Sequence, residues 1–359
     1  MTGFKDIIGH EVAVAVLRKA IAKDRVSHAY LFSGPEGVGK TMTALAFAAA
    51  LNCVGEKREE FEPCGACWSC VLMSAGNHPD VEVISPAGSQ TKIEQAREMR
   101  RQAQFAPARG EWKINIIERA ESLNEDAASA ILKILEEPPS YMVIILLTNN
   151  PSMLLPTIRS RCQLLRFFPA PQDMLVPALV RLKGVSEDDA KVAAAYAEGR
   201  MGNAISLLSD DSFRKMRDEM IEIAERLSMG DSAGFLRLSE KFRALCSSDK
   251  EEADEEESDS SPADAVKKRG GVRASVGRSI QTATLWYRDL LSVKLQGDQA
   301  ILINSDCRER LTKQSARYKD LGSLIRSLET LSWARRAVER NANIQLIADL
   351  AMLRLAQRR

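Results

Sequence analysis

The segment that most constrains this chain is residues 34–41, which reads Gly-x-x-x-x-Gly-Lys-Thr. A short apolar run, residues 30–32, precedes it, and an alanine-rich stretch follows it. Glycines let a backbone curl so that its N–H groups point at phosphate oxygens, while Lys40 supplies positive charge and the Thr41 hydroxyl can hold Mg²⁺. The pattern predicts a strand, a phosphate-binding loop and a helix whose N-terminus adds partial positive charge. The loop glycines are Gly34, Gly37 and Gly39.

Apolar segments with strand character recur along the first 170 residues, separated by helical patterns. The continuous apolar run 142–147 is typical of a strand buried on both faces of a parallel sheet. Asn124 can cap a helix that Pro138 and Pro139 end, and a further helix is predicted over 91–105. Strands alternating with helices predict a doubly wound α/β domain. The predicted strands are residues 30–32, 81–84, 114–117, 142–147 and 163–167.

After residue 170 the strand signals end. Residues 171–208 predict a small helical unit, and residues 209–359 predict a larger helical one. Within the latter, residues 247–271 are rich in Asp, Glu, Ser and Gly. Such a segment buries too little apolar surface to offset its ordering entropy, so we expect a disordered, solvated insertion there.

The net charge of +1 conceals an acidic run at residues 249–259, which carries a net −7 and leaves +8 on the rest of the chain. That surplus permits a phosphate-rich partner, although a mixed solvated surface explains it equally well. No apolar run approaches the roughly 20 residues that a membrane span needs, and the N-terminus shows no apolar signal segment. We therefore expect a cytoplasmic protein without a membrane partner.

Four of the seven cysteines cluster in one segment, at Cys53, Cys64, Cys67 and Cys70. In a reducing compartment such a cluster indicates metal binding rather than disulfides. Four thiolates, three of them spaced by two residues, suit a closed tetrahedral zinc site. An iron–sulfur cluster is the alternative that the spacing leaves open.

The residues after the predicted strand 114–117 bear on hydrolysis. Glu118 stands where ATPases of this type place an acid for Mg²⁺, but the next residue is Arg119, which cannot accept a proton from water. If a helix begins there, Glu121 is expected to point away from the strand end. The pattern indicates a loop that binds ATP and Mg²⁺ weakly at best, and an empty relic loop remains the alternative.

Arg161 lies just before the last predicted strand, within Ser160-Arg161-Cys162. That position is an edge from which a guanidinium can reach a neighbouring subunit's nucleotide, and an ordinary surface salt bridge is the alternative. The three histidines, His10, His28 and His78, are scattered singly, and we expect turn or packing roles for them.

Several segments together resemble the bacterial DNA polymerase III clamp-loader family of AAA+ proteins. The resemblance covers residues 1–208 well and the last twenty or so residues clearly. Its most specific part combines the cysteine spacing with the Leu-Glu-Glu-Pro-Pro and Ser-Arg-Cys segments. Beyond the cysteines, the matching segments are 28–35, 78–80, 130–139, 157–162 and 341–346.

The resemblance implies a RecA-like AAA+ core at residues 1–170 that carries the zinc module, a helical lid at 171–208 and a helical collar at 209–359. The collar joins a ring of five subunits. The implied partners are the delta and gamma/tau-type subunits and, through the complex, a sliding clamp closed on primed DNA. In this alignment Asn149 holds a polar sensor position and Arg161 the position of an arginine finger acting in trans.

Motor subunits of the family carry Asp-Glu after the third strand, and delta-prime subunits have lost that pair; Glu118-Arg119 resembles the second kind. Near Gly202 and Asn203 the lid arginine of motor subunits is missing, although Arg200 lies close by. The resemblance thus implies a delta-prime-type stator that does not hydrolyse ATP by itself. The alternative is an active motor-type (gamma/tau-like) ATPase, for which the intact phosphate loop argues.

Overall fold

A computed structural model describes residues 3–55, 61–86, 98–99, 101–229, 240, 262–340 and 342–356. The chain divides into two compact units, one formed by Met1–Gly184 with Ala197–Ile205 and the other by Val185–Tyr196 with Ser206–Arg359. The segment 171–208 thus contributes to both units. The three-domain division at residues 170 and 208 stays a prediction.

Five parallel strands form the sheet of the first unit, in the order β2-β3-β4-β1-β5. All seven residues of β4 are buried, as expected for a strand covered on both faces. Each predicted strand is present with ends shifted by at most one residue, so the predicted α/β core is confirmed. The strands are β1 (Ala29–Ser33), β2 (Val81–Ile84), β3 (Lys113–Ile117), β4 (Met142–Thr148) and β5 (Gln163–Arg166).

Thirteen α-helices have both of their ends within the described residues. In chain order they are α1 (Glu11–Ala22), α2 (Lys40–Leu51), α3 (Trp68–Ser74), α4 (Glu125–Glu136), α5 (Pro156–Arg159), α6 (Gln172–Lys183), α7 (Glu187–Tyr196), α8 (Met201–Ser209), α9 (Asp211–Met229), α10 (Pro262–Gln296), α11 (Arg308–Ser315), α12 (Leu321–Glu339) and α13 (Ile344–Ala356). None of them is long and apolar enough to cross a membrane.

The sheet separates two apolar cores. Phe32 on β1 and Phe47 on α2 belong to the core that also contains residues of α1. Leu31 on β1 and Ile131 on α4 belong to the core on the other face. As predicted, Asn124 caps α4, because its Oδ1 accepts the Ala127 N–H at 2.8 Å.

Strand register brings three loops to one edge of the sheet. Ser33 at the end of β1 pairs with Thr148 at the end of β4, and the Gly34 N–H donates to the Thr148 carbonyl at 3.1 Å. Ile117 at the end of β3 pairs with Leu146 on β4. The residues that follow these strands therefore leave the sheet side by side.

The second unit is helical in its described part, which confirms the predicted helical C-terminal region. Its apolar core gathers residues of α7 and α9–α13 around the fully buried Trp286. The indole N–H of Trp286 donates to Gln314 Oε1 at 2.9 Å, and Gln314 Nε2 donates to the Ala224 carbonyl at 2.9 Å. The buried polar atoms of the indole and the amide are thus paired inside the core.

Two sequence predictions fall partly outside the described residues. Of the helix predicted over 91–105, residues 91–97 and 100 lie outside them. So do residues 247–261 of the predicted disordered insertion. Its remaining residues, 262–271, are helical, which corrects the predicted end of the insertion. Pro262 is acceptable as the first residue of a helix, and a long helix propagates through glycines that would not start one.

Candidate functional site

A cavity of about 330 Å³ opens over the phosphate loop at the edge where β1, β3 and β4 end. The loop contributes Gly37, Gly39 and Thr41 to its lining, and Asn149 borders it from the end of β4. Gly37 and Gly39 have φ angles of 77° and 110°, which side chains rarely adopt, so these two turns require glycine. The sequence motif therefore builds the curled loop that it predicts.

Lys40, the first residue of α2, closes the loop. Its ammonium donates to the carbonyls of Gly34 at 2.5 Å and Pro35 at 2.7 Å, and to Asn149 Oδ1 at 2.9 Å. Burial lowers the pKa of Lys40, while the nearby carboxylates of Glu121 and Glu36 oppose that effect. These contacts fix the ammonium of Lys40 beside a loop whose backbone geometry suits phosphate binding.

Thr41 and Glu118 come together as the sequence predicts. The Thr41 hydroxyl donates to Glu118 Oε1 at 3.1 Å, and Ser85, at the end of β2, donates its hydroxyl to Glu118 Oε2 at 2.8 Å. A hydroxyl beside a carboxylate offers the hard oxygen ligands that Mg²⁺ takes. The pair Thr41–Glu118 therefore fits a magnesium ion. Ser85, which donates to the other oxygen of Glu118, is a supporting contact that sequence reasoning missed.

Glu121 lies at this sheet edge, contrary to the expectation that it points away. Arg119 adopts a left-handed conformation with φ 49°, which turns the chain into a short 3₁₀ helix, Ala120–Ser122. Glu121 Oε1 then accepts the Asn149 N–H at 3.4 Å. No sequence signal marks a non-glycine residue for that conformation, which is why the prediction was wrong.

Two positions where a hydrolysing site would need particular side chains are occupied by residues that cannot do that work. Arg119 and Glu118 border the cavity together, whereas Glu121, which accepts the Asn149 N–H, does not line it. From α8, Gly202 lines the cavity. Arg200 does not line the cavity, and its guanidinium pairs with Glu198 at 3.0 Å. Among the described residues lining the cavity, a water-activating carboxylate next to Glu118 and a lid arginine are both missing.

The four clustered cysteines converge on one point. Their sulfurs all lie within 4.8 Å of one another, with Cys53–Cys67 at 4.0 Å, Cys64–Cys70 at 3.8 Å and Cys53–Cys70 at 3.7 Å. Four sulfurs about 2.3 Å from one tetrahedral ion are separated by about 3.8 Å. The separations are far too long for a disulfide, which needs about 2.05 Å. The cluster can therefore hold a metal ion, as the sequence predicts.

The pKa values of the four thiols are shifted in different directions. Backbone N–H groups of Ala66 and Cys67 lower the pKa of Cys64 to about 6. Burial raises the pKa of Cys53 and of Cys70. Four thiolates so close together repel one another, and a divalent cation at their centre removes that repulsion and deprotonates all four.

Arg161 is exposed at the surface, between α5 and β5. Its guanidinium pairs with Glu136 Oε1 at 3.1 Å and donates to the Thr157 carbonyl at 3.1 Å. Both side chains remain accessible, with 37% and 52% of their surfaces exposed. Within the single chain Arg161 makes a surface ion pair and does not line the cavity of its own loop.

Comparison with known proteins gives consistent matches. The family model described as "DNA polymerase III, delta subunit" matches residues 9–171. The delta-prime subunit of Bacillus subtilis DNA polymerase III is 28% identical over 95% of this chain and 94% of its own length. The tau subunit of the same organism is 33% identical over 67% of this chain, but the match spans only 43% of the relative. A gamma subunit-related protein of Thermotoga maritima aligns in structure over 96% of this chain, with a TM-score of 0.47 and 18% identity.

Proposed function

The chain belongs to the DNA polymerase III clamp-loader family, and from that premise we propose that it is a delta-prime-type subunit. In this role it is a stator that helps to load a sliding clamp on primed DNA within a ring of five subunits. The extent of the matches supports this assignment, since the chain spans 94% of the delta-prime relative and 43% of the tau relative. Its partners are other subunits of the clamp loader.

The observation that carries the proposal is Arg119 beside Glu118 at the cavity. Hydrolysis of ATP needs bound phosphate, a metal ion, an oriented water and stabilisation of the transition-state charge. Lys40 and the pair Thr41–Glu118 offer the first two. A guanidinium cannot take a proton from water. The site therefore suits nucleotide binding without turnover.

We further propose that Arg161 acts on the nucleotide of a neighbouring subunit. Its exposure, and the fact that it does not line the cavity of its own chain, support a role in trans. The ion pair with Glu136 orients the guanidinium. Breaking this pair costs little, because exposed ion pairs contribute only about 0–1 kcal/mol. A γ-phosphate from a neighbour can therefore displace Glu136.

A comparison of three single variants in the assembled clamp loader tests this role. Arg161→Ala should lower hydrolysis at the neighbouring site by about 10³-fold or more, because an arginine finger contributes that much to the rate. Lys40→Ala should change the ATPase rate of the complex much less. Arg159→Ala is the matched control, since Arg159 is also exposed and lies two residues away. Complex formation, measured by gel filtration, should stay unchanged in all three.

The second candidate is an active motor-type ATPase, favoured by the complete phosphate loop and the Thr41–Glu118 contact. The same variants distinguish the two roles. If Lys40→Ala abolishes the activity of the complex and Arg161→Ala does not, the chain is a motor subunit. ATP hydrolysis by the purified chain alone would point the same way.

We propose that the ion of the cysteine cluster is zinc with a structural role. An iron–sulfur cluster binds its cysteines through separate iron atoms and so spreads the sulfurs farther apart than a single ion does. The short sulfur separations support a single ion, and four protein ligands leave no open position for chemistry.

A further inference from the structure

We propose that His10 is a positioning residue of the phosphate loop, whose ring holds the Val38 carbonyl and thereby turns the Gly39 N–H toward the cavity. This inference rests on the proposed nucleotide site. From the sequence, His10 was expected to serve only a turn or packing role. The structure places it against the loop, 28 residues away along the chain.

The ring of His10 is fixed on the inner side of the loop. His10 is 5% exposed and lies directly before α1. Its Nε2 is 2.8 Å from the Val38 carbonyl oxygen, and because a carbonyl only accepts, Nε2 carries the proton. The ring also packs edge-on against Phe167, with centroids 4.6 Å apart. The Val38 carbonyl therefore points into the core.

The geometry of the peptide bond converts this contact into an orientation of the loop. In a trans peptide the C=O and the following N–H point in opposite directions, and the described residues contain no cis peptide bond. With the Val38 carbonyl held by His10, the Gly39 N–H points away from the core. Gly39 lines the cavity, so its N–H faces the space where phosphate would bind.

A second carbonyl of the loop is held from α8. The Gly202 N–H donates to the Gly37 carbonyl at 2.8 Å, which turns the Val38 N–H to the opposite side. A Cβ at Gly202 would lie 3.1 Å from that carbonyl oxygen, so the contact requires a close approach. Lys40 holds two more carbonyls, those of Gly34 and Pro35. The loop is thus oriented before phosphate arrives, which reduces the free-energy cost of binding.

Two substitutions at His10 separate hydrogen bonding from packing. His10→Leu keeps an apolar side chain against Phe167 but removes the donor. His10→Gln keeps an N–H donor that can reach the same carbonyl. Amide hydrogen exchange of residues 34–41 in the nucleotide-free full-length chain should be faster in His10→Leu and near wild type in His10→Gln.

The affinity for Mg·ATP, measured by calorimetry, should fall about 3- to 10-fold in His10→Leu, the range expected for one net hydrogen bond. It should be largely restored in His10→Gln. Equal losses in both variants would indicate a packing role and overturn the inference, as would unchanged exchange and affinity in His10→Leu. A wild-type chain that binds no ATP contradicts the nucleotide site itself, and hydrogen exchange then still decides whether His10 holds the loop.

Discussion

At the scale of single residues, Cys67 has two separable roles. Its sulfur is one of four that converge in the cluster, and it also caps α3 by accepting the Cys70 N–H at 3.4 Å. Serine is among the preferred residues at the start of a helix but is a poor ligand for zinc beside thiolates. One substitution can therefore remove metal binding and preserve the cap.

Protein purified without added metal should contain one zinc per chain, and Cys67→Ser should lose it. Because metal binding contributes directly to folding, the first unit should unfold at a lower temperature while the second keeps its own transition. Elemental analysis and calorimetry measure the two effects. Cys307→Ser, in the second unit, is the control and should retain zinc. Iron with inorganic sulfide, or no metal in the wild type, contradicts the assignment.

At the scale of elements, the start of β2 fastens the loop 108–110 to the sheet. The buried carboxylate of Asp80 accepts the backbone N–H groups of Ala108, Arg109 and Gly110. The Arg109 guanidinium lies 4.6 Å from the centre of the Trp68 ring, at the first turn of α3. Asp80 therefore connects the sheet to the helix that carries the last cysteine of the cluster.

Asp80→Asn should destabilise the first unit by about 1–3 kcal/mol, because an amide cannot accept from all three N–H groups as a carboxylate does. Burial raises the pKa of Asp80, but the three N–H donors and His78 together lower it by more. The pKa therefore lies below its usual value. Because the pKa of Asp80 is lower in the folded state, its ionised carboxylate stabilises the fold fully above the unfolded-state pKa, at about pH 3.9. That stabilisation is lost as the pH falls through the folded-state pKa.

Urea unfolding at pH 7 and between pH 5 and 3 checks this behaviour. The difference between wild type and Asp80→Asn should be largest at pH 7 and shrink toward pH 3. Asp188→Asn, whose side chain is 70% exposed, is the control and should change stability little at any pH. A difference that does not depend on pH contradicts the role of the charge.

At the scale of the whole molecule, the two units do not share an apolar core: the first has one on each face of its sheet, and the second has a single helical core. The described helices of the second unit surround Trp286, and α9 and α10 both contribute to that core. The chain between these two helices includes the acidic residues 249–261, which lie outside the described residues. Their composition, with almost no apolar side chains, gives them little to contribute to a packed core.

Deletion of residues 249–261, which stops short of α10, should leave the melting temperatures of both units and assembly with other clamp-loader subunits unchanged. Thermal unfolding and co-purification with those subunits measure the two properties. A scrambled segment of the same composition is the control for charge alone. A large loss of assembly in the deletion variant, but not in the scrambled one, would show that the segment binds a partner through its sequence.

Much of this protein follows from local signals in its sequence. The apolar run of β4, the glycines of the phosphate loop and the spacing of the cysteines each constrain a short stretch of chain. Such patterns act through nearby backbone conformation and burial, which are properties of a few adjacent residues. The parallel sheet, the loop and the cysteine cluster were therefore predictable from the sequence.

The contacts that complete the sites were decided only by tertiary structure. The approach of His10 to Val38, of Ser85 to Glu118 and of Glu121 to Asn149 joins segments that lie far apart in the chain. The second contact depends on the register of β2 and β3, the third on the left-handed turn at Arg119, and the first on the packing of His10 against the phosphate loop. None of these leaves a periodic or compositional trace, because all result from how distant elements pack. The sequence alone determined which groups could bind phosphate and metal, and the packing of the first unit decided which neighbours hold those groups in place.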